Sequence, residues 1–187
     1  MSEHSTPERL SAEDLFRHHA PFVARLLFRL GVAPQEIDDV VQQVFVVVHR
    51  NGGYERGAAT PTSYLGNIAV KAASSWRRRD RAQRSRSATS MPDDLPSASR
   101  DPVTLVETQH ELAFLQRVLE QLDPELCALL VLIDVEGESC AAVAASQSTP
   151  IGTVYWRLHK ARKQFRSLVR ELREDPGPRT TAESERP

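Results

Sequence analysis

Residues 82 to 102, AQRSRSATSMPDDLPSASRDP, carry serine, proline, aspartate and arginine and almost no large apolar side chain. Such a stretch cannot bury enough surface to offset the entropy lost on ordering it, so it predicts a flexible linker. It splits a 187-residue chain whose hydrophobic content is 40%. That length suits one ordinary domain or two small ones with modest cores, and the linker favours two. The expected units are residues 10–81 and 103–173, followed by a disordered tail over 174–187, where PGPRTTAESERP offers nothing to pack. No run approaches the roughly 18 to 20 apolar residues that span a bilayer, and MSEHSTPERLSAED lacks signal-peptide character, so a cytoplasmic protein is expected.

Within each unit the hydrophobic spacing is helical. SAEDLFRHHAPFVARLLFRL opens with a potential cap at Ser11 and acids at Glu13 and Asp14. Leu15, Phe16, Phe22, Val23, Leu26, Leu27 and Leu30 then form a stripe that Pro21 should kink or split, with Gly31 as the stop. In TSYLGNIAVKAASSWRRRDR the residues Leu65, Ile68, Ala69, Ala72 and Trp76 make one apolar stripe, and Asn67, Lys71, Ser74 and Arg78 fall opposite. IDDVVQQVFVVVH, residues 37–49, is ambiguous: Val44 to Val48 would pass for a buried strand, whereas Pro34, Glu36, Asp38 and Asp39 mark a helix start. As a helix it places Ile37, Val41, Val44 and Val48 inward with Val40 and Val47 beside them. Asp39, Gln42, Gln43 and Val46 then share the outer face. A valine framed by two amides and a carboxylate suits a protein partner, or is one of the single exposed hydrophobics every surface carries.

A net charge of −1 conceals strong segregation. Between Lys71 and Arg86 seven bases face only Asp80, and between Thr153 and Arg173 seven face only Glu171. Two basic patches suggest two contacts with a polyanion; solvated helix faces would look the same. In the second, Ser139 can cap a short helix, QSTP forms a turn, and Thr149–Pro150 suits the start of a longer helix. Along that helix Val154, Leu158, Ala161, Phe165, Leu168 and Leu172 form the inner stripe. Trp156, His159, Lys160 and Lys163 face outward, flanked by Thr153 and Tyr155. This is the layout of a helix-turn-helix, whose second helix enters the major groove; the alternative is a plain helical hairpin with Tyr155 and Trp156 half-buried.

Catalysis has little to stand on. The six histidines, at 4, 18, 19, 49, 110 and 159, lack metal spacing, and there is no Gly-rich phosphate loop, GxSxG or CxxC. Cys127 and Cys140 read as free thiols. No enzyme activity, metal, cofactor or small-molecule substrate is expected. A stand-alone regulator using only the helix-turn-helix is a second reading, but it leaves residues 37–48 and the first basic patch without a role.

Four stretches in order, DDVVQQVF, YLGNIAVKAASSWRRR, LEQLDPELCALLVLIDVEGES and IGTVYWRLHKAR, resemble the bacterial RNA polymerase sigma factors of the extracytoplasmic-function (ECF) group. The resemblance implies an all-α protein of two small helical domains, a region 2-like bundle and a region 4-like helix-turn-helix. By resemblance the first binds the clamp of core RNA polymerase and the promoter −10 element, double-stranded and then melted. The second binds the polymerase flap and the −35 element. Asp39, Gln42, Gln43 and Val46 become the polymerase contact. Asn67, Lys71, Ser74, Arg77, Arg78, Arg79 and Arg81 become the −10 contact, the arginines neutralising phosphates and a base flipped from the strand being held near the start of the helix that contains Asn67 and Lys71. Thr153, Tyr155, Trp156, Arg157, His159, Lys160 and Lys163 become the −35 contact, with Arg157 on a phosphate. An anti-sigma factor is the expected regulator.

Departures from the family pattern change the roles expected at particular positions. Lys71 stands where the family has an asparagine, exchanging base readout for backbone attraction, and Tyr64 replaces a tryptophan. Ala142 replaces a glutamate, and Ser146 and Gln147 replace apolar residues, which should loosen packing beneath the reading helix. Tyr155 and Trp156, in place of smaller or basic residues, could meet thymine methyls or a protein surface.

Overall fold

The computed structural model describes residues 9–86 and 102–174; all of the expected tail but Glu174, which is helical, and most of the expected linker lie outside the described residues. Seven α-helices account for nearly all of it: α1 (Ala12–Arg29), α2 (Ile37–Arg50), α3 (Pro61–Arg86), α4 (Pro102–Gln121), α5 (Pro124–Leu130), α6 (Cys140–Ser146) and α7 (Ile151–Glu174). They form two helical clusters, α1–α3 and α4–α7. Two short strands, β1 (Arg9–Leu10) and β2 (Tyr54–Glu55), pair antiparallel with Leu10 opposite Tyr54. The hydrophobic pattern gave no hint of that ladder, because two residues are too short for alternation to show.

Helix α1 starts at the expected cap. The Ser11 hydroxyl accepts from the Asp14 amide at 3.1 Å, and the Asp14 carboxylate accepts from the Ser11 amide at 3.3 Å. These bonds hold the Asp14 carboxyl below its ordinary pKa. Pro21 does not split the helix, which runs unbroken to Arg29. Its missing hydrogen bond is outweighed by the burial of Leu15, Phe22, Val23, Leu26 and Leu27 on one stripe. Phe16 departs from that stripe: it lies out in solvent on one side, its ring edge-on to Phe45 at 5.0 Å. Gly31, at φ 79°, turns the chain after α1.

Residues 37–50 are helical, and a 3₁₀ turn over Pro34–Glu36 leads into them. The β-branched run is overridden because Val40, Val41, Val44, Phe45 and Val48 are all buried at helical spacing. Val47 differs from expectation, sitting 39% exposed, and Phe45 takes the inward place beside Val44. Gly53, at φ 93°, follows α2; a Cβ there would collide with the Leu10 carbonyl where the two strands meet.

Asp123 caps α5 through the Glu125 amide at 2.9 Å, and α5 continues into a wider π turn over Val131–Val135. Ser139 caps α6 as expected, accepting from the Ala142 amide at 3.1 Å. Thr149 does not cap α7. Its hydroxyl is buried with no hydrogen-bond partner, and Ile151 is the first helical residue. The tight turn instead rests on the Ser148 and Thr149 amides, which return to the Ala145 and Ala144 carbonyls, with Ser148 at φ 51°.

The two clusters are not held apart. Their buried side chains make one continuous core that includes Leu65, Ala69 and Val70 from α3 and Leu129, Leu132 and Val143 from the second cluster. Helix α3 also runs to Arg86, into the stretch read as linker.

Candidate functional site

Three surfaces carry the residues singled out by the sequence. On α2, Asp39, Gln42 and Gln43 are exposed and Val46 is 47% exposed, while the residues between them are buried. A chain that seals five of the apolar side chains of α2 leaves this one open beside Val47. Helices α1 and α2 together expose four large apolar side chains, Phe16, Phe28, Val46 and Val47.

On α3 the sequence reading needs correction. Leu65, Ala69 and Ala73 are buried and Ile68, Ala72 and Trp76 partly so, but a second side is covered too. Counting about 100° per residue from Leu65, Gly66, Val70, Ala73 and Arg77 cluster near 110°. Gly66 and Val70 are buried and Arg77 is partly so. A Cβ on Gly66 would stand 2.7 Å from Leu132 Cδ2, so glycine is what lets the second cluster approach. Asn67, expected on an open face, is half-buried and donates its amide to the Ser146 carbonyl at 2.8 Å. Ser74 is likewise half-buried. Arg77 donates to the Glu120 carbonyl at 3.1 Å. The remaining bases keep an open position. Lys71, Arg78, Arg79 and Arg81 are exposed, with Arg79 reaching Gln43 Oε1 on α2 at 3.1 Å and Arg78 bonded to Ser75. Polymerase-side and nucleic-acid-side candidates are thus contiguous across α2 and α3.

On α7, Val154, Leu158 and Ala161 are buried, and Tyr155, Trp156, His159, Lys160 and Lys163 are exposed on the opposite side. The hairpin alternative required Tyr155 and Trp156 to be half-buried; they are 57% and 63% exposed. Lys160 Nζ lies 5.5 Å from the Trp156 ring centroid, which orients the indole by a cation–π contact. Thr153 is partly covered, and Arg157 leans back toward Glu125 at 3.7 Å. Arg162 grips Asp134 with two bonds, of 3.1 and 2.6 Å, clamping α7 to the end of the π turn. A groove of about 520 Å³ runs beside this helix, with Leu122, Leu126 and Leu168 in its wall and Glu125, Arg157 and Lys160 at its rim. In α6 the Ser146 hydroxyl returns to the Val143 carbonyl at 2.9 Å, and Ala142, Val143 and Ala144 are buried.

Among the described residues no group of histidine, cysteine and carboxylate side chains could hold a metal, and no helix is long and apolar enough to cross a membrane. Cys127 and Cys140 are free, and burial pushes the Cys127 thiol up to about 12, far from a reactive thiolate.

Comparison with known proteins agrees with this layout. A family model for sigma-70 region 2 matches residues 15–83. The ECF RNA polymerase sigma factor SigE of Mycolicibacterium smegmatis is 31% identical over 160 residues, 85% of this chain and 62% of that protein. The ECF RNA polymerase sigma factor SigM of Mycobacterium tuberculosis is 30% identical over 171 residues, 90% of this chain and 82% of SigM. This chain belongs to the ECF sigma factors. The sigma factor RpoE of Bartonella quintana, solved in complex with the anti-sigma factor NepR, shares the fold at a TM-score of 0.59 and 19% identity, over 84% of this chain and 96% of that one.

For an ECF sigma factor the residues that sequence reasoning missed are those that join the two clusters. Arg29 pairs with Glu136 at 3.2 Å, and the Thr60 hydroxyl donates to Glu138 at 2.7 Å while accepting from the Ser63 amide. The Gln116 amide donates to the Phe28 carbonyl at 2.9 Å. One signal was available: Gly66, a helix-weakening residue inside a helical pattern, marks a close approach.

Proposed function

We propose that this sigma factor directs core RNA polymerase to its promoters through two units, residues 10–81 and 103–173, joined by a linker over 82–102. The exposed Val46 framed by Asp39, Gln42 and Gln43 carries the reading: it is the kind of apolar centre with a polar rim that a protein partner fills, and here the partner is the polymerase clamp. Next to it Lys71, Arg78, Arg79 and Arg81 attract promoter phosphates around the −10 element, giving salt-dependent affinity without sequence information. Asn67, Ser74 and Arg77, each half-buried, complete the proposed −10 contact. Tyr155, Trp156, His159, Lys160 and Lys163 enter the major groove at the −35 element, with Thr153 at the helix start and Arg157 on a flanking phosphate.

The sigma factor makes no bond itself. It positions the polymerase and stabilises the melted strand, at an unstacking cost of about a few kcal/mol per base. The protein works in the cytoplasm, where polymerase and promoter are, and an anti-sigma factor restrains it. Run-off transcription with purified core polymerase tests the function. Initiation at defined start sites is expected from the wild-type chain and none from Val46→Asp; a chain that binds promoter fragments but never programmes the polymerase is a stand-alone regulator instead.

A further inference from the structure

The outer side of α7 carries two large aromatic side chains that folding leaves in water, Tyr155 and Trp156, both more than half exposed. Counting about 100° per residue from Ile151, the buried Val154, Leu158 and Ala161 fall between about 280° and 340°. Trp156, at about 140°, stands opposite them. The groove beside the helix lies on a flank instead, with Arg157, Gln164 and Leu168 between about 220° and 260°, so Trp156 is at its edge. One turn before Trp156 is Gly152, near 100° on the same side, where a Cβ would meet nothing within 4 Å. The backbone there is bare and can come close to the floor of a DNA groove.

Each base shows its own edge in the major groove, and each edge suits a different side chain. Guanine, with two acceptors, takes arginine or lysine; adenine takes an amide; cytosine takes a carboxylate; thymine offers one acceptor and a methyl group. Over 151–161 the exposed residues are Ile151, Gly152, Tyr155, Trp156, His159 and Lys160. They include no amide and no carboxylate, and the arginine of this stretch, Arg157, is partly covered and leans toward Glu125 at 3.7 Å. Lys160 is engaged as well, its Nζ lying 5.5 Å from the Trp156 ring centroid. That contact uses one face of the indole and steadies its plane, which leaves the other face and the ring edge for a ligand. A tip of this composition matches the thymine methyl.

We propose that Trp156 reads the 5-methyl group of a thymine in the −35 element, and that Lys160 is the positioning residue that holds the indole for it. The inference rests on the −35 reading proposed above. The ring shields the methyl from water and needs no hydrogen bond to do so, so discrimination comes from burying one methyl group, about fourfold in affinity. Cytosine in the same place has no methyl, and its amino group meets no carboxylate.

Holoenzyme assembled from core polymerase and the full chain, offered a randomised duplex library, should retain fragments that share a thymine at a fixed place in the upstream element. Trp156→Ala should lose the preference at that base pair and keep it elsewhere. Deoxyuridine has every pairing atom of thymine and lacks only the methyl. Placed there, it should weaken wild-type holoenzyme binding by about fourfold and leave binding by Trp156→Ala unchanged. Lys160→Met should lower the ratio of thymine to deoxyuridine affinity, and Lys160→Arg, which keeps a cation over the ring, should restore it; loss of a phosphate contact alone weakens both fragments equally. A retained element without thymine, a wild type that treats the two bases alike, or a methyl preference that persists in Trp156→Ala overturns the proposal. So does a Trp156→Ala chain that loses affinity for core polymerase with the base ratio unchanged, which makes the ring a protein contact. An unchanged ratio in Lys160→Met removes the positioning role. If no fragment is retained and none is transcribed, the promoter-reading function itself fails, and the base assignment falls with it.

Discussion

Helices α2 and α3 lie side by side, and each has a buried apolar stripe with a polar side opposite, yet their polar sides meet different fates. That of α2 faces solvent, with Val46 open between Gln42, Gln43 and Asp39. That of α3 is divided: Lys71, Arg78 and Arg79 stay outside, whereas Asn67 and Arg77 bond to backbone carbonyls of the second cluster. An amphipathic pattern therefore says which residues tolerate water, not what covers them. A polar side chain next to an orphan helix carbonyl becomes part of an interface as readily as a leucine does.

The comparison breaks most visibly if the covered side of α3 is not a true core. Leu132→Ala, at the point where the second cluster meets Gly66, should lower stability in urea melts by about 2–5 kcal/mol, whereas Val46→Ala on α2 should stay within about 0.5 kcal/mol. Equal costs would mean that the α3 seam is loosely packed. Val46→Asp reverses the contrast: polymerase affinity, read by fluorescence titration, should fall by about 100-fold, equivalent to about 2.7 kcal/mol, with the melting midpoint unchanged.

The exposed bases sharpen the division within α3. Replacing Arg78 and Arg79 together by alanine should lower the slope of log affinity against log salt by about 2 in promoter binding, since each removes about one phosphate contact. A slope that does not change removes this patch from the DNA path. The smallest expected effect is acid sensitivity arising in α1. His19, whose pKa lies below its ordinary value through burial and the neighbouring His18, and Asp14, held low by Ser11, both bind protons more readily when unfolded. Their contributions are therefore complete above the unfolded values, 6.5 for histidine and 3.8 for aspartate, and fade as pH falls through the lower folded ones. His19→Gln should flatten the stability profile between pH 7 and 5 and leave polymerase binding unaltered.

Much of the architecture was legible because it is written in local chemistry. The Ser11 and Ser139 caps, the Gly31 stop and the α7 stripe each depend on residues within a turn or two of one another. The run from Val44 to Val48 was ambiguous by composition alone, and its helical form follows from tertiary burial of Val44, Phe45 and Val48. The Thr149 cap failed although residue type and position both favoured it, because the return of the Thr149 amide to Ala144 fixes the turn without the hydroxyl.

The amino-acid order by itself determined that α1, α3 and α7 are helical and that the chain carries two separated basic patches; that Val46 sits among polar neighbours followed once burial had made residues 37–50 a helix. Those properties follow from spacing along one helix, where geometry repeats every few residues. Only the tertiary structure decided that Asn67 and Arg77 face the second cluster and that Arg29 meets Glu136, 107 residues away. Pairings between distant helix ends have no period in the sequence, since they depend on how finished helices come to rest against one another.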